Sequence, residues 1–276
     1  LHVFLALVIG FAAAVLAGMF GIGGAGLTTP ALRVFLDASP GIALGTTLPV
    51  VIPTAIAGAY TYYRSGFLDT RVALYCSLGG IVGSVGGALL TKVLNLHFLM
   101  IFTGVIVLYM GATTAYRGLT GKVPEGPEEI GVSPVEGDEV AADEAAVPAG
   151  GGFWHSDVAY VLVGLGGGFF SGLLGLGGGI VLIPAFLYLL RLPIKKAFGT
   201  SLAVIAVIAI PGTIVHALLG HISWLLFLYL VIGVVPGAYI GAKLSIKAKE
   251  PFLYTGFGIL VLVFGVIFIV NEIIGL

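Results

Sequence analysis

Two stretches of this sequence place glycines where an apolar segment would otherwise continue as helix, and they are copies of each other. Residues 17–30 read AGMFGIGGAGLTTP, and residues 171–184 read SGLLGLGGGIVLIP. Gly18 meets Gly172 at an offset of 154 residues. The same offset pairs Gly21 with Gly175, Gly23 with Gly177, Gly24 with Gly178, and Pro30 with Pro184. Each glycine disfavours helix by about 1 kcal/mol relative to alanine, so a Gly-x-Gly-Gly run predicts a break. Pro30 and Pro184 are placed to open a second, short helix, because proline suits a first turn. The chemistry open to such a break is anion binding. Free amides at a helix N-terminus carry about half a positive charge and bind anions, and glycine lets a ligand approach them without Cβ interference. Gly23, Gly24, Thr28 and Thr29 in one copy, facing Gly177, Gly178 and Gly179 in the other, are therefore the candidate ligands of a small anion. The plainer reading of the same glycines is close helix packing.

A second matched pair, Gly45-Thr46-Thr47 and Gly199-Thr200-Ser201, sets adjacent hydroxyls near the start of a long apolar segment. Thr46, Thr47, Thr200 and Ser201 can donate to an anion or cap their own helices, and both roles stay open. His216 is the deepest ionisable residue of any apolar segment and aligns with Tyr62 of the first copy. It joins the candidates because an ionisable group inside a membrane is a functional hypothesis by default. No Asp or Glu lies well inside an apolar segment, which argues against a carboxylate proton relay. Ser171 and His216 raise the idea of an intramembrane protease, but Gly168-Phe169-Phe170-Ser171-Gly172 lacks a Gly-x-Ser-Gly pattern. Neither metal-ligand spacing nor a phosphate loop with lysine occurs. Cys76 is the single cysteine, so an intrachain disulfide or zinc cluster is excluded. The expectation is a protein without enzymatic chemistry, cofactor or nucleic-acid partner.

The elements that must position these residues are membrane helices. Of 276 residues, 59% are hydrophobic, 9% are charged and 44 are glycine, and the mean hydropathy is +1.16. An ordinary soluble domain carries roughly 25% charged residues. Apolar segments run at about 3–20, 27–36, 42–63, 72–91 and 98–116, then again at about 158–174, 180–190, 197–218, 223–242 and 252–271. A span needs roughly 20 residues. Four segments in each half meet that need, and the fifth, directly after each glycine run, reads as a half-helix. The run 3–20 has no basic leader and belongs to the repeat, so it is not a signal peptide. Between the halves, residues 119–152 hold eight of the chain's thirteen acids together with Gly150-Gly151-Gly152, the mark of a flexible solvated linker. The chain thus divides into a membrane repeat at 1–118, the acidic linker at 119–152 and a second membrane repeat at 153–276.

Charge indicates how the halves relate. If they are inverted, Arg64, Arg71, Arg117, Lys122, Arg191, Lys195, Lys196, Lys243, Lys247 and Lys249 share one side and only Arg33 and Lys92 face the other. If they are parallel, the split is eight to four. Basic residues collect on the cytoplasmic side, so inversion is expected, with a cytoplasmic linker and both termini outside. Inversion needs an odd number of crossings per half, so the broken first helix must turn back or cross twice. The expected fold is an all-α integral membrane protein of two inverted repeats, each of about four spans with a broken or re-entrant first helix.

The doubled GxGG…P segments, the Gly-Thr-Thr and Gly-Thr-Ser pairs and the run His216–Ile222 resemble the TauE/SafE (TSUP) family of sulfite-exporter-like membrane proteins. The resemblance covers nearly the whole chain outside the acidic linker. It implies transport of small sulfur-containing anions such as sulfite or sulfonates across the cell's inner membrane. Ala25 stands where the second half has Gly179, and Tyr62 where it has His216, so an asymmetric site is expected. The rival reading is a passive anion channel, or a structural membrane module without transport, whose glycines serve packing alone. The implied partners are the anion and the lipid bilayer, with self-association into a homo-oligomer left open.

Overall fold

A computed structural model describes residues 2–36, 39–90, 96–120, 156–174, 178–218 and 220–274. The acidic stretch from 121 onward, Lys92 and the candidate ligand Gly177 lie outside the described residues. The described residues are helical almost throughout. In the first half the helices are α1 (His2–Phe20), α2 (Ala25–Phe35), α3 (Pro40–Arg64), α4 (Thr70–Leu90) and α5 (Leu96–Thr120). In the second they are α6 (Asp157–Leu174), α7 (Gly179–Tyr188), α8 (Ile194–Leu218), α9 (Trp224–Lys247) and α10 (Glu250–Ile274). The starts of α2 to α5 and of α7 to α10 are each 154 residues apart, the offset of the glycine runs. Among the described residues, three helices are long and apolar enough to cross a membrane, over Gly41–Arg64, Ile194–Leu218 and Trp224–Lys247. The protein is therefore an all-α membrane fold.

One local expectation is corrected. Pro30 and Pro184 do not open α2 and α7; both lie inside, since the helices begin five residues earlier. The start is set instead by Gly24 and Gly178, the N-cap residues, whose φ angles of 89° and 76° are left-handed. Only glycine adopts that conformation without a Cβ penalty.

Two helix pairs hold the halves together through glycine. α1 packs on α9, and α4 packs on α6. A Cβ at Gly233, Gly237 or Gly241 of α9 would run into the backbone of Leu7, Phe11 or Val15 of α1. One at Gly79 or Gly83 of α4 would do the same at Val161 or Leu165 of α6. These are small-xxx-small ridges, which let backbones approach within direct contact. In both pairs residue numbers rise together, so the two helices run in the same direction. The Arg71 guanidinium and Asp157 carboxylate, 2.9 Å apart, join α4 to the start of α6 at the surface.

Two further cross-half pairs, each a helix against its own copy, run oppositely. In α3 and α8, Gly58 sits by Leu202 and Gly212 by Leu48; in α5 and α10, Gly118 sits by Thr255 and Gly265 by Leu108. α3 and α8 lie at the centre, with Val51, Leu202, Val204 and Ile205 buried in the main core. α1 descends beside α3, as the closeness of Gly18 to Gly58 requires. α2 then doubles back: Gly24 is level with Thr54, Thr29 bonds Thr47, and Leu32 shares a core with Ala43. α2 therefore runs back along α3 in the direction opposite to α1.

The ridges make a sharp prediction. A Cβ at Gly83 would lie 2.8 Å from the Phe169 amide as well as against Leu165, whereas Gly86 has nothing within 4 Å. Overpacking a core costs about 1–3 kcal/mol when side chains can shift, and backbone cannot. Gly83→Leu is expected to lose the monodisperse peak in size-exclusion chromatography, and Gly86→Leu to keep it with an unchanged unfolding midpoint.

Candidate functional site

The two glycine breaks meet at mid-height. A Cβ at Gly179 would stand 2.6 Å from Ile22 Cα and 2.9 Å from Ile205 Cδ1; one at Gly23 would stand 2.8 Å from Ile205 Cγ2 and 3.5 Å from Val51 Cγ1. Ile205 and Val51 are near the middles of α8 and α3. The N-termini of α2 and α7 thus converge on the same layer of the molecule. In α2 the first bonded amides are those of Leu27 and Thr28, both to the Gly24 carbonyl. In α7 they are those of Val181 and Leu182, both to Gly178. The amides of Ala25, Gly26, Gly179 and Ile180 come before them, at the positive end of each helix.

Around the first break lies a narrow pocket. Gly23 and Gly24 form one wall, Thr28, Thr47 and Thr54 supply hydroxyls, and Ala14, Val50, Val51 and Val234 close it. Thr28 donates to the Gly24 carbonyl at 3.0 Å, Thr54 to the Val50 carbonyl at 2.7 Å, and the Thr29 and Thr47 hydroxyls are 2.8 Å apart. Gly23, Gly24, Thr28, Thr29 and Thr47 are thus brought together around the first break. Thr54 was missed by sequence reasoning. Its signal was the repeat itself, because at the 154-residue offset Thr28 faces Leu182, Thr29 faces Ile183 and Thr54 faces Ile208. At those matched positions the second half carries hydrocarbon where the first carries hydroxyls. Gly178 sits instead against Ser171 and Ile208.

Thr46 and Thr200 are elsewhere, and their roles are symmetric. The Ser223 amide donates to Thr46 Oγ1 and the Asp69 amide donates to Thr200 Oγ1, both at 3.0 Å. Ser223 is the N-cap of α9, and Asp69 immediately precedes α4. Each hydroxyl thus satisfies a backbone donor at the helix start of the opposite half, rather than capping its own helix or facing the breaks. The adjacent glycines make room: a Cβ at Gly45 would strike the His221 carbonyl, and one at Gly199 the Phe67 carbonyl.

The remaining candidates sort by location. Ser201 donates to the Gly21 carbonyl and the Phe198 carbonyl, each at 2.8 Å, so it supports the loop of the first break from α8. Tyr62, fully buried, donates to the carbonyls of Gly18 and Met19 at the end of α1. His216 lies eleven residues beyond Ile205, about 16 Å along α8, with its Nδ1 3.4 Å from His221 Nδ1. It belongs to the α8–α9 corner and not to the breaks. Among the described residues, no group of three His, Cys, Asp or Glu able to hold a metal occurs.

Replacing Thr46 or Thr200 by the isosteric valine leaves a partly buried amide unpaired, which costs about 1 kcal/mol. T46V and T200V should each lower the thermal unfolding midpoint, and the double variant should lower it by the sum, because the two sites share no partner. Serine at either position should restore the wild-type midpoint.

The chain matches the family described as Sulfite exporter TauE/SafE over residues 6–268. It is 27% identical to the probable membrane transporter protein YunE of Bacillus subtilis over 248 residues, covering 86% of this chain and 85% of that protein. It is 25% identical to the probable membrane transporter protein YdhB of the same organism, covering 85% and 87%. A probable membrane transporter protein of Xylella fastidiosa is 24% identical, covering 89% and 86%. No solved structure matches. With converging helix N-termini in an apolar, glycine-packed bundle and a family match along almost its whole length, this chain belongs to the TauE/SafE family and is a multi-pass membrane transporter, not an enzyme.

Proposed function

We propose that this protein is a secondary transporter of small sulfur-containing anions, such as sulfite or sulfonates, working by alternating access. The anion is held by backbone amides at the opposed helix breaks, chiefly those at the start of α2 and α7. The observation that carries this reading is the meeting of the two breaks, with Gly179 packed on Ile22 and both helices opened by left-handed glycines. Half-helix N-termini pointed at an anion near the bilayer midplane are the recurring device of transporters built from repeats. Irregular backbone at that depth is tolerated only where protein or a cavity surrounds it. The hydroxyls of Thr28, Thr47 and Thr54 make the first break the polar face of the site. The choice of sulfur anions rests on the family's description.

The halves are two inverted repeats, 1–118 and 153–276, joined by the acidic linker. The helix directions support this. α3 and α8 run oppositely, as do α5 and α10, while each first helix runs alongside the fourth helix of the other half in the same direction. That pattern turns every element of one half upside down relative to its copy. It also gathers Arg64, Arg71, Arg117, Arg191, Lys195, Lys196, Lys243, Lys247 and Lys249 at one end of the bundle. By the positive-inside rule that end faces the cytoplasm, and the linker with it, in the cell's inner membrane.

Two experiments test these statements. In proteoliposomes, labelled sulfite uptake should saturate and be competed by a small sulfonate but not by chloride or an amino acid. With the anion bound, the Thr54 hydroxyl turns from the Val50 carbonyl to the anion, so T54V should raise KM about tenfold, roughly 1.4 kcal/mol, with a much smaller effect on the unfolding midpoint. Flux that never saturates favours a channel, and no flux under any gradient leaves the glycines as packing alone. For topology, a cysteine introduced at Gly137 should react with an impermeant maleimide only in inside-out vesicles. Labelling from the outer face would overturn the inverted arrangement.

A further inference from the structure

The side chain of Ile205 stands between the two breaks and touches both. A Cβ at Gly23 would lie 2.8 Å from its Cγ2 and 3.4 Å from its Cδ1, and one at Gly179 would lie 2.9 Å from the same Cδ1. Ile205 is fully buried in the main core. Gly23 is also a wall of the anion pocket, with Val51 beside it. The space between that wall and the start of α7 is therefore filled by one isoleucine.

The repeat separates what the backbone requires here from what it leaves open. At the 154-residue offset Ile205 faces Val51, and Gly179 faces Ala25. The first half thus carries its extra carbon on the helix after the break, and the second half carries it on the long central helix. Isoleucine exceeds valine by its Cδ1, and that is the atom that lies against Gly179. The same chain path accepts either arrangement. The terminal methyl of Ile205 alters the shape of the space beside the pocket and leaves the course of the backbone alone.

We propose that Ile205 is the specificity-determining residue that sets how large an anion the site accepts. This rests on the anion reading and deepens it. The partners for a charged head group lie on the pocket side, as the hydroxyls of Thr28, Thr47 and Thr54 and the amides at the start of α2. An organic chain on that head group must point away from the hydroxyls, because burying them against carbon leaves them unpaired. Ala14, Val50 and Val234 offer no depth, since they belong to the tightly packed core of the α1–α9 contact. The remaining direction leads past Val51 to Ile205, and Ile205 fills it to its last methyl. Protein interiors are close-packed, so a chain of several carbons cannot enter without displacing that side chain. The wild-type site therefore takes an inorganic oxyanion or a sulfonate with a single carbon, and it rejects longer sulfonates.

The test is the order in which alkanesulfonates compete with labelled sulfite for uptake by the full chain in proteoliposomes, an order that does not depend on the fraction of active protein. Methanesulfonate should compete with wild type, and ethane-, propane- and butanesulfonate should be progressively weaker. I205V removes only the methyl that lies against Gly179. It should strengthen ethanesulfonate relative to methanesulfonate about tenfold, the worth of one methylene in a hydrophobic pocket. I205A should extend the gain to propanesulfonate, and I205V carries the test alone where I205A fails to fold. V204A trims the neighbouring core residue, which points about 100° away around α8, and should keep the wild-type order. Uptake that persists with the wild-type order in I205V, or the same widening in V204A, would overturn this proposal alone. Absence of saturable uptake in the wild type would overturn the anion reading and this proposal with it.

Discussion

A backbone polar group in hydrocarbon must find its partner inside the protein, and this constraint governs every feature near the centre of the fold. Breaking α1 from α2, and α6 from α7, exposes amides on one side of each break and carbonyls on the other. The protein answers with three devices. Left-handed glycines start the second helix at once, so that Gly24 and Gly178 each accept two amides. Side chains from α3 and α8 reach the stranded carbonyls, as Tyr62 and Ser201 do. Glycine ridges on α4 and α9 then bring a whole helix against each broken one, excluding lipid from the break. The central layer is thereby polar in its backbone and apolar in nearly everything that surrounds it.

The packing is reciprocal between halves, which has consequences for how the protein moves and folds. α1 leans on α9, α6 leans on α4, and the Gly-Thr pairs fasten each long helix to the corner of the other half. The first part of each broken helix, α1 or α6, packs chiefly on the other half, while the second part, α2 or α7, packs chiefly on its own. The α1–α9 and α4–α6 interfaces are glycine-on-backbone contacts, while the corners are fixed by directed hydrogen bonds. Small residues permit close approach, and they also leave few side-chain knobs to oppose a shear.

Symmetry of the backbone coexists with asymmetry of chemistry. Thr28, Thr29 and Thr54 face Leu182, Ile183 and Ile208 at equivalent positions, and Tyr62 faces His216. Both halves retain the glycines that shape the break, but one retains the hydroxyls. At these matched positions the second half carries hydrocarbon side chains and the first carries hydroxyls. His216, freed from the role Tyr62 has, pairs with His221 at the far corner of α8.

The fold was legible in the sequence to the extent that local rules decide it. Hydropathy alone fixed the helices within a few residues, and the glycine offset announced the duplication, because both depend on residue type and spacing. Gly24 and Gly178 were found as the break because helix propensity is local. The helix starts were misassigned to Pro30 and Pro184 because a left-handed cap ranks ahead of a proline that suits a first turn but is tolerated further in. What composition could not reveal was which hydroxyl meets which partner. Thr46 and Thr47 are neighbours in sequence, yet one bonds Ser223 across the halves and the other lines the pocket, since successive helical residues point about 100° apart. Thr54 drew no notice as an isolated hydroxyl in an apolar helix. Only the tertiary structure set it beside a helix break, because its contact with Gly24 joins residues far apart along the chain.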